Sequence, residues 1–406
     1  MDFDDTPAEA ALRAEVYGFL AQHATVKQGQ SHAHSMSYDS GSEAEADHVR
    51  EAKQWQAILF DSGWAGITWP KEHGGRGGTI VEQMVFNQEL SKFDTPPGVF
   101  AQSIGMAGPT IIKHGTPAQQ ERFLRPMLRG DDVWCQLFSE PGAGSDLAAL
   151  TTRAERDGDE YVINGQKVWT SSAHYSDWGI LLARTDFDVP KHQGITYFLV
   201  DMRSPGIDIR PLRQITGTAH FNEVFLTDLR IPVDQIVGDV NRGWAVTMTT
   251  LTSERTLIGS GAADPMPALL RLARRYGVLQ DATMRQAIAD VHVRHQLIKF
   301  LGWRVQSAIS RGQSPGPESS VLKLAHTSAL TRITDLALQI EGASGMLVPH
   351  GDAEGHAAAF SFLSQFASKI GGGTDEVQRN IVGERVLGLP GDVRIDKDVP
   401  FRSLAK

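Results

Sequence analysis

A polar loop carries the densest set of potential ligand-binding groups in this chain. It runs Gln136-Leu-Phe-Ser-Glu-Pro-Gly-Ala-Gly-Ser-Asp146 and follows an apolar segment, 133–138, that predicts a strand. Its two glycines free the backbone for close approach to a ligand. Ser139 and Ser145 add hydroxyl groups beside that backbone. These features predict a polar ligand-binding loop at the end of a strand.

A carboxylate on a predicted helix of the C-terminal third is the best candidate for acid–base chemistry. Its neighbours at helical spacing are largely apolar: Thr247, Leu251 and Ile258. Glu254 interrupts this stripe, and burial raises the pKa of a carboxylate toward neutrality, which favours general-base action. The alternative is a surface glutamate that pairs with Arg255 or another neighbour.

Other familiar catalytic motifs are absent from the sequence. No glycine-rich dinucleotide fingerprint follows a predicted strand, and there is no P-loop, no G-x-S-x-G elbow and no H-E-x-x-H. The single cysteine, Cys135, excludes a disulfide framework and indicates a buried structural thiol. His292 and His295 share a helix face without carboxylates at ligand spacing, so we expect no bound metal.

Composition narrows the class of protein. The 406 residues carry a net charge of −9, whereas nucleic-acid binding needs clustered Lys and Arg, so we expect no nucleic-acid partner. No apolar run approaches the ~20 residues of a membrane-spanning helix. The acidic N-terminus does not resemble a signal peptide, and we therefore expect a cytoplasmic protein.

Helical periodicity dominates both ends of the chain. In the N-terminal part, helices are predicted over residues 7–22, 46–62, 79–92 and 117–128. Thr116 and Gln119 predict a capping box for the last of these, with Pro117 in its first turn. Long helices over residues 282–310 and 319–340 indicate an antiparallel bundle near the C-terminus.

Short strands mark the middle of the chain. Tyr161-Val-Ile-Asn-Gly-Gln-Lys-Val-Trp169 predicts a hairpin of two strands around an Asn-Gly turn. Further strands are predicted over residues 178–184, 195–201 and 223–226, which indicates a small barrel or sandwich. The predicted domains are therefore helical over 1–131, β over 132–240 and a helical bundle over 241–406.

Two further segments, Lys167-Val-Trp-Thr-Ser-Ser172 and Gly371-Gly-Gly-Thr-Asp-Glu-Val-Gln-Arg379, complete a signature with the first loop. In this order they resemble the acyl-CoA dehydrogenase family, flavoenzymes that introduce an α,β double bond into acyl-CoA thioesters. The resemblance covers nearly the whole chain. It implies an N-terminal α-helical domain, a small middle β-barrel and a C-terminal four-helix bundle, with FAD as cofactor.

The resemblance also implies positions around the cofactor. Residues expected against the flavin ring and the substrate are Phe138, Ser139, Gly144 and Ser145. Trp169 would flank the ring, and Ser171 would bond to its edge near N5, which holds the ring and stabilises negative charge on reduced flavin.

The remaining cofactor contacts implied by the resemblance lie in the C-terminal domain. Thr374 and Glu376 would contact the ribose and pyrophosphate, and Arg274 or Arg275 would reach the pyrophosphate. The segment from Gln339 to Ala343, including Gly342, would meet the adenine half from a neighbouring subunit.

The identity of the base depends on the branch of the family. Many members carry it just before the Gly-Thr of the C-terminal motif, where this chain has Gly372. A second branch, which includes isovaleryl-CoA and long-chain dehydrogenases, carries it on the bundle helix as Glu-Arg. The sequence therefore favours Glu254 as base, with Arg255 and Gly372 on the substrate side. Asp375 is the alternative base.

The resemblance implies partners and leaves two alternative functions open. An acyl-CoA would be the substrate, an electron-transfer flavoprotein would accept the electrons, and the protein would form a homodimer or homotetramer. One alternative keeps the fold and makes the protein a flavin oxidase or monooxygenase. The other makes it a non-catalytic subunit of a heteromeric dehydrogenase.

Overall fold

The computed structural model describes residues 5–27, 41–96, 98–259, 264–311, 313, 318–347, 353–393 and 396–404. Along the chain it has a helical part, then a sheet, then a second helical part. This confirms the predicted fold class. No helix in these ranges has the length and apolar character needed to cross a bilayer.

Within the ranges just given, the N-terminal part has five α-helices and one small strand pair. The helices are α1 (Pro7–His23), α2 (Glu43–Asp61), α3 (Ile80–Leu90), α4 (Gly108–His114) and α5 (Pro117–Arg129). The antiparallel pair is β1 (Thr25–Val26) and β2 (Phe93–Asp94). The predicted capping box is confirmed, because Thr116 accepts from the Gln119 amide while the Gln119 side chain accepts from the Thr116 amide.

Seven strands form one curled sheet in the middle. They are β3 (Trp134–Leu137), β4 (Arg153–Asp157), β5 (Glu160–Ser171), β6 (Trp178–Arg184), β7 (Ile195–Asp201), β8 (Ile207–Leu212) and β9 (Phe221–Pro232). The order is β3-β6-β4-β5-β9-β8, with β7 beside β6. One core takes buried side chains from β3, β4, β5, β6, β7 and β9, so the sheet curls around it.

The predicted hairpin at Asn164-Gly165 is wrong. The segment is one continuous strand, β5, whose pairing with β9 shifts register between Ile163 and Gly165. A Cβ on Gly165 would lie 2.4 Å from Thr152 Oγ1, so the glycine permits close approach of the residue just before β4 and does not form a turn. Asn164 is used across the sheet, where its side chain accepts from the Asp228 amide at 2.9 Å.

The outer face of the sheet packs on the N-terminal helices. Trp134 of β3 and Trp178 of β6 stack with ring centroids 5.7 Å apart. Phe123 of α5 meets both rings edge-on. Aromatic contacts of this kind fix the sheet against the first domain and so set the position of the loops that leave β3.

The described residues of the C-terminal part form six α-helices. They are α6 (Gly243–Gly259), α7 (Met266–Arg275), α8 (Ala282–Ser310), α9 (Glu318–Glu341), α10 (Ala353–Ile370) and α11 (Asp375–Ile381). Helix α9 is central, since it contacts the other five. The predictions over 282–310 and 319–340 are confirmed, whereas α10 was not predicted.

Candidate active site

Two of the sequence motifs meet at the ends of neighbouring strands. The Val168 amide donates to the Ser139 carbonyl at 2.9 Å. This bond joins the polar loop after β3 to the far end of β5. Phe138, buried at the start of the loop, lies edge-on to Tyr197 with centroids 5.9 Å apart. The first two motifs therefore form one surface.

A buried ion pair lies under this surface. The Lys167 ammonium donates to Glu140 Oε1 at 2.8 Å and to the Phe138 carbonyl at 3.1 Å. Glu140 also accepts from the amides of Thr151 and Thr152 at 2.7 and 2.9 Å. No role was predicted for Glu140 or Lys167 from the sequence. Their opposite charges, one in each of two motif segments, could have predicted an ion pair between the motifs.

The charge state of Glu140 follows from these contacts. Burial by itself raises the pKa of Glu140, but the charge of Lys167 and the hydrogen bonds outweigh burial and lower the pKa to about 2. Burial lowers the pKa of Lys167, and Glu140 opposes that shift. The carboxylate is therefore ionised and fully used in holding the loop.

Trp169 is presented at the surface by an unusual backbone. Its φ is +60°, in the left-handed region, at an irregularity in the pairing of β5 with β9. The indole is 60% exposed and lies edge-on to Phe221 at 5.9 Å. A large aromatic side chain held out of the core in this way is suited to stack against a flat ligand.

The small polar residues of the predicted site border the same surface. Gly144 and Ser145 are exposed in the loop, and Ser139 and Ser171 are half-buried. Nothing lies within 4 Å of a Cβ built on Gly144. Within the described ranges, no hydrogen bond engages the hydroxyls of Ser139, Ser145 or Ser171, which leaves them for a ligand.

Glu254 lies on α6, which packs against α4, β7 and α9. Its side chain is half-buried and takes part in an interaction with another group. Arg255 continues the same helix, but its side chain lies outside the described residues. The helix that carries Glu254 therefore packs against all three parts of the fold.

The C-terminal motif forms a tight turn ahead of α11. Gly372 and Gly373 have φ of +66° and +85°, and the side-chain Nε2 of Gln378 donates to the Gly372 carbonyl at 3.0 Å. Thr374 caps α11 by accepting from the Val377 amide. Glu376 is exposed and pairs with Arg379 at 3.1 Å. The C-terminal motif therefore forms one compact unit, a glycine turn followed by the capped first turn of α11.

Asp375 is tied to the central helix. Its carboxylate accepts from Lys323 Nζ at 2.8 Å and from Thr327 Oγ1 at 3.0 Å. It is buried, so these bonds replace its contacts with water. The pair fixes the C-terminal motif to α9.

Arg274, expected at the pyrophosphate, and the residues expected near the adenine half lie at the opposite end of α9 from Asp375. Arg274 ends α7, and Gln339 lies near the end of α9, where both are exposed. The two helices meet there in a small core of Leu269, Ala273, Leu336 and Ile340. Gly342 follows with φ of +60°. Trp169, Ser139, Gly144, Ser145 and Ser171 form one surface, which we call the Trp169 surface. The described hydrogen bonds do not connect Arg274, Gln339 or Gly342 to it.

Comparison with known proteins identifies the family. Family models match residues 6–131 to the acyl-CoA dehydrogenase N-terminal domain, 135–229 to the middle domain and 241–387 to the C-terminal domain. The chain belongs to the acyl-CoA dehydrogenase family. It is an acyl-CoA dehydrogenase oxidoreductase of a flavin-dependent family, as the resemblance implied.

Among its relatives, the chain is 39% identical to acyl-CoA dehydrogenase IpdE1 of Mycobacterium tuberculosis, over 94% of this chain and 98% of the relative. It is 41% identical to acyl-CoA dehydrogenase FadE34 of the same organism, over 86% of this chain but only 47% of that longer protein. The chain thus spans nearly all of one relative and about half of the other.

Solved structures with the same fold include two that are each named after two proteins. A "Tcur3481-Tcur3483 steroid ACAD" is 28% identical with a TM-score of 0.79, covering 97% of this chain and 100% of that chain. The ChsE4-ChsE5 complex from Mycobacterium tuberculosis is 30% identical with a TM-score of 0.79, over the same shares of the two chains.

Proposed function

We propose that this acyl-CoA dehydrogenase forms the trans-2-enoyl-CoA with FAD as cofactor and Glu254 as the base. The observation that carries the proposal is the half-buried carboxylate of Glu254 on a helix packed against both other parts of the fold. The family's alternative base position is occupied by Gly372, which has no side chain to accept a proton.

The Trp169 surface fits a flavin. A flat ring can lie against the exposed indole, and the unengaged hydroxyls of Ser139, Ser145 and Ser171 can donate to its polar edge. The open space beside Gly144 admits a ligand close to the backbone. Phe138 stays in the core behind the loop and supports it.

The C-terminal residues complete the proposed cofactor site. Thr374 and Glu376 would face the ribose and pyrophosphate, with Arg274 at the pyrophosphate. Gln339 and Gly342 would meet the adenine half of a cofactor bound mainly to a neighbouring subunit. Arg274 lies with Gln339 at the C-terminal end of α9, away from the C-terminal motif, so it would reach the pyrophosphate of the neighbouring subunit's cofactor.

The reaction divides between cofactor and protein. FAD, when bound, supplies the hydride acceptor for the substrate β-carbon. Glu254 accepts the α-proton, and the backbone N–H of Gly372 polarises the thioester carbonyl, which increases the acidity of that proton, since the N–H of Glu254 is used inside α6. Arg255 and Ser145 would orient the acyl-CoA.

Asp375 is the weaker candidate for the base. Its carboxylate is held by the Lys323 ammonium and the Thr327 hydroxyl. Both carboxylate oxygens are engaged by these two partners inside the fold, so neither is directed at a substrate. We therefore assign Asp375 the role of fixing the C-terminal motif.

The solved neighbours favour a ring-containing acyl group as substrate. One of them is named a steroid ACAD, at 28% identity over 97% of this chain. We infer a steroid-derived acyl-CoA for this protein as well. Assay of steroid-derived, straight-chain and branched acyl-CoAs with an artificial electron acceptor tests this. A preference for straight chains would contradict it.

Assembly with a second chain is also proposed, as a homodimer or homotetramer. Exposed apolar residues Val293, Leu297 and Phe300 follow one face of α8, with exposed fractions of 54%, 56% and 48%. Contiguous apolar surface of this kind is typical of contacts between subunits.

An electron-transfer flavoprotein is the proposed electron acceptor.

The alternative of a non-catalytic subunit has one supporting observation. Two solved neighbours are named as pairs of different chains. Measurement of mass in solution and of FAD content for the chain purified alone separates the cases. A colourless protein that binds FAD only with a second chain would favour the heteromeric alternative.

The decisive variant is Glu254→Gln. We expect it to retain FAD and to lose at least ~100-fold in turnover, since a general base contributes ~10²–10⁴-fold. Glu121→Gln, a surface change on α5, is the control and keeps full activity. Near-normal turnover of Glu254→Gln would show that another residue acts as the base. Oxygen consumption by the substrate-reduced enzyme separates the oxidase alternative from the dehydrogenase.

A further inference from the structure

Three hydroxyl groups, one from each part of the fold, meet at a buried point beside α6. Thr110 belongs to α4, Tyr197 to β7 and Thr250 to α6, and none of the three has exposed surface. The Thr250 Oγ1 atom lies 2.8 Å from Thr110 Oγ1 and 3.1 Å from the Tyr197 hydroxyl oxygen. We call this group the hydroxyl junction.

The direction of the hydrogen bonds follows from the available protons. Thr110 donates its only hydroxyl proton to the Met106 carbonyl at 2.8 Å, so it accepts from Thr250. Thr250 then accepts from Tyr197. Burial raises the pKa of Tyr197, so the phenol remains a donor throughout the physiological range. The junction is a directed chain in which every hydroxyl proton is used.

The junction links the base to the loop that borders the proposed flavin surface. Thr250 precedes Glu254 by four residues, which places the two side chains on one face of α6 about 5–6 Å apart at Cβ. The Tyr197 ring also contacts Phe138, at 5.9 Å between centroids. One tyrosine therefore touches both the loop and the helix that carries the base.

We propose that Tyr197 and Thr250 are positioning residues that set Glu254 relative to the flavin-binding loop. This rests on the proposed function of Glu254. Neither residue touches the substrate, and both act through α6. A proton acceptor loses efficiency when its distance from the reacting carbon changes, and a displacement near 1 Å can reduce the rate ~100-fold.

The test uses variants that remove a hydroxyl with little change in volume. Tyr197→Phe and Thr250→Val are expected to lower kcat roughly 10-fold, below the ~100-fold of a 1 Å displacement, with KM and FAD content unchanged. The double variant should lose no more than either single variant, because both break the same chain. Thr250→Ser keeps the hydroxyl and should restore kcat.

Matched controls are available within the same elements. Tyr161→Phe alters a buried tyrosine of the opposite core. Thr247→Val removes a buried hydroxyl one turn earlier on α6, where it donates to the Gly243 carbonyl. Both should keep wild-type kcat. Hydrogen exchange of the protein without FAD should be faster at residues 250–254 in Tyr197→Phe, but unchanged in Tyr161→Phe.

The outcomes separate the two proposals. If Glu254→Gln abolishes turnover while Tyr197→Phe and Thr250→Val behave like their controls, the positioning role is wrong and the base assignment stands. If Glu254→Gln stays active, the proposed function itself fails. If Thr250→Ser is as slow as Thr250→Val, the hydroxyl is not the cause and the inference is overturned.

Discussion

Lys167 and Glu140 form an ion pair at 2.8 Å beneath the proposed flavin surface, and their side chains are only 0% and 5% exposed. Each side chain also bonds to backbone groups. Lys167 donates to the Phe138 carbonyl, and Glu140 accepts from the backbone amides of Thr151 and Thr152. The pair therefore connects β5 to both ends of the polar loop. Removal of one partner leaves a buried charge without compensation.

Lys167→Met should destabilise the protein and weaken FAD binding. Loss of one partner from a buried pair costs about 3–5 kcal/mol. Lys53→Met is the control, since Lys53 pairs with Asp177 in a more exposed setting, with 32% of its side chain accessible. Thermal unfolding and flavin fluorescence measure the two effects. Equal destabilisation by the two variants would contradict the role given to Lys167.

The ionised Glu140 should make the free energy of unfolding fall more steeply as the pH is lowered. Contacts with Lys167 and the neighbouring amides lower its pKa in the folded protein from the ordinary value of 4.5 to about 2. A lowered folded pKa gives stability that is complete above the unfolded value and is lost as pH falls from 4.5 toward 2. In urea unfolding across this range, Glu140→Gln should show a shallower loss of stability than wild type. Glu121→Gln should keep the wild-type slope.

Trp169→Ala should weaken FAD binding with little effect on folding. The indole is 60% exposed, so its removal deletes little core contact and stability should change by less than ~0.5 kcal/mol. Loss of aromatic stacking, worth ~0.5–1.5 kcal/mol, should raise the FAD dissociation constant up to ~10-fold. Ile215→Ala, at a residue 76% exposed, is the control. Unchanged FAD affinity would remove Trp169 from the site.

Gly165→Ala should destabilise the sheet. The added Cβ would lie 2.4 Å from Thr152 Oγ1 and 2.8 Å from its Cα, which forces the residue just before β4 away from β5. Overpacking of this kind costs about 1–3 kcal/mol. Gly302→Ala is the matched control, because nothing lies within 4 Å of its Cβ and helix α8 gains from alanine. A neutral Gly165→Ala would favour a flexible turn at this position.

Several features of the fold could be predicted from the sequence because they depend on local patterns. The helix over 282–310 follows from apolar periodicity, and the Thr116 cap follows from residue types three positions apart. The predicted hairpin at Asn164-Gly165 was wrong because this pair of residues is compatible with a tight turn and also with a bulge in a continuous strand. The neighbour across the sheet, Thr152, decides between them.

The sequence by itself determined the order of helical and β segments, the three motifs and the presence of Glu254 at an apolar helix face. Only the tertiary structure decided which buried polar groups meet. Thr110 and Thr250 are 140 positions apart, and Glu140 and Lys167 are 27 apart. Neither periodicity nor spacing encodes such pairs, because a buried hydrogen-bonding group can be satisfied by any partner that packing brings within reach.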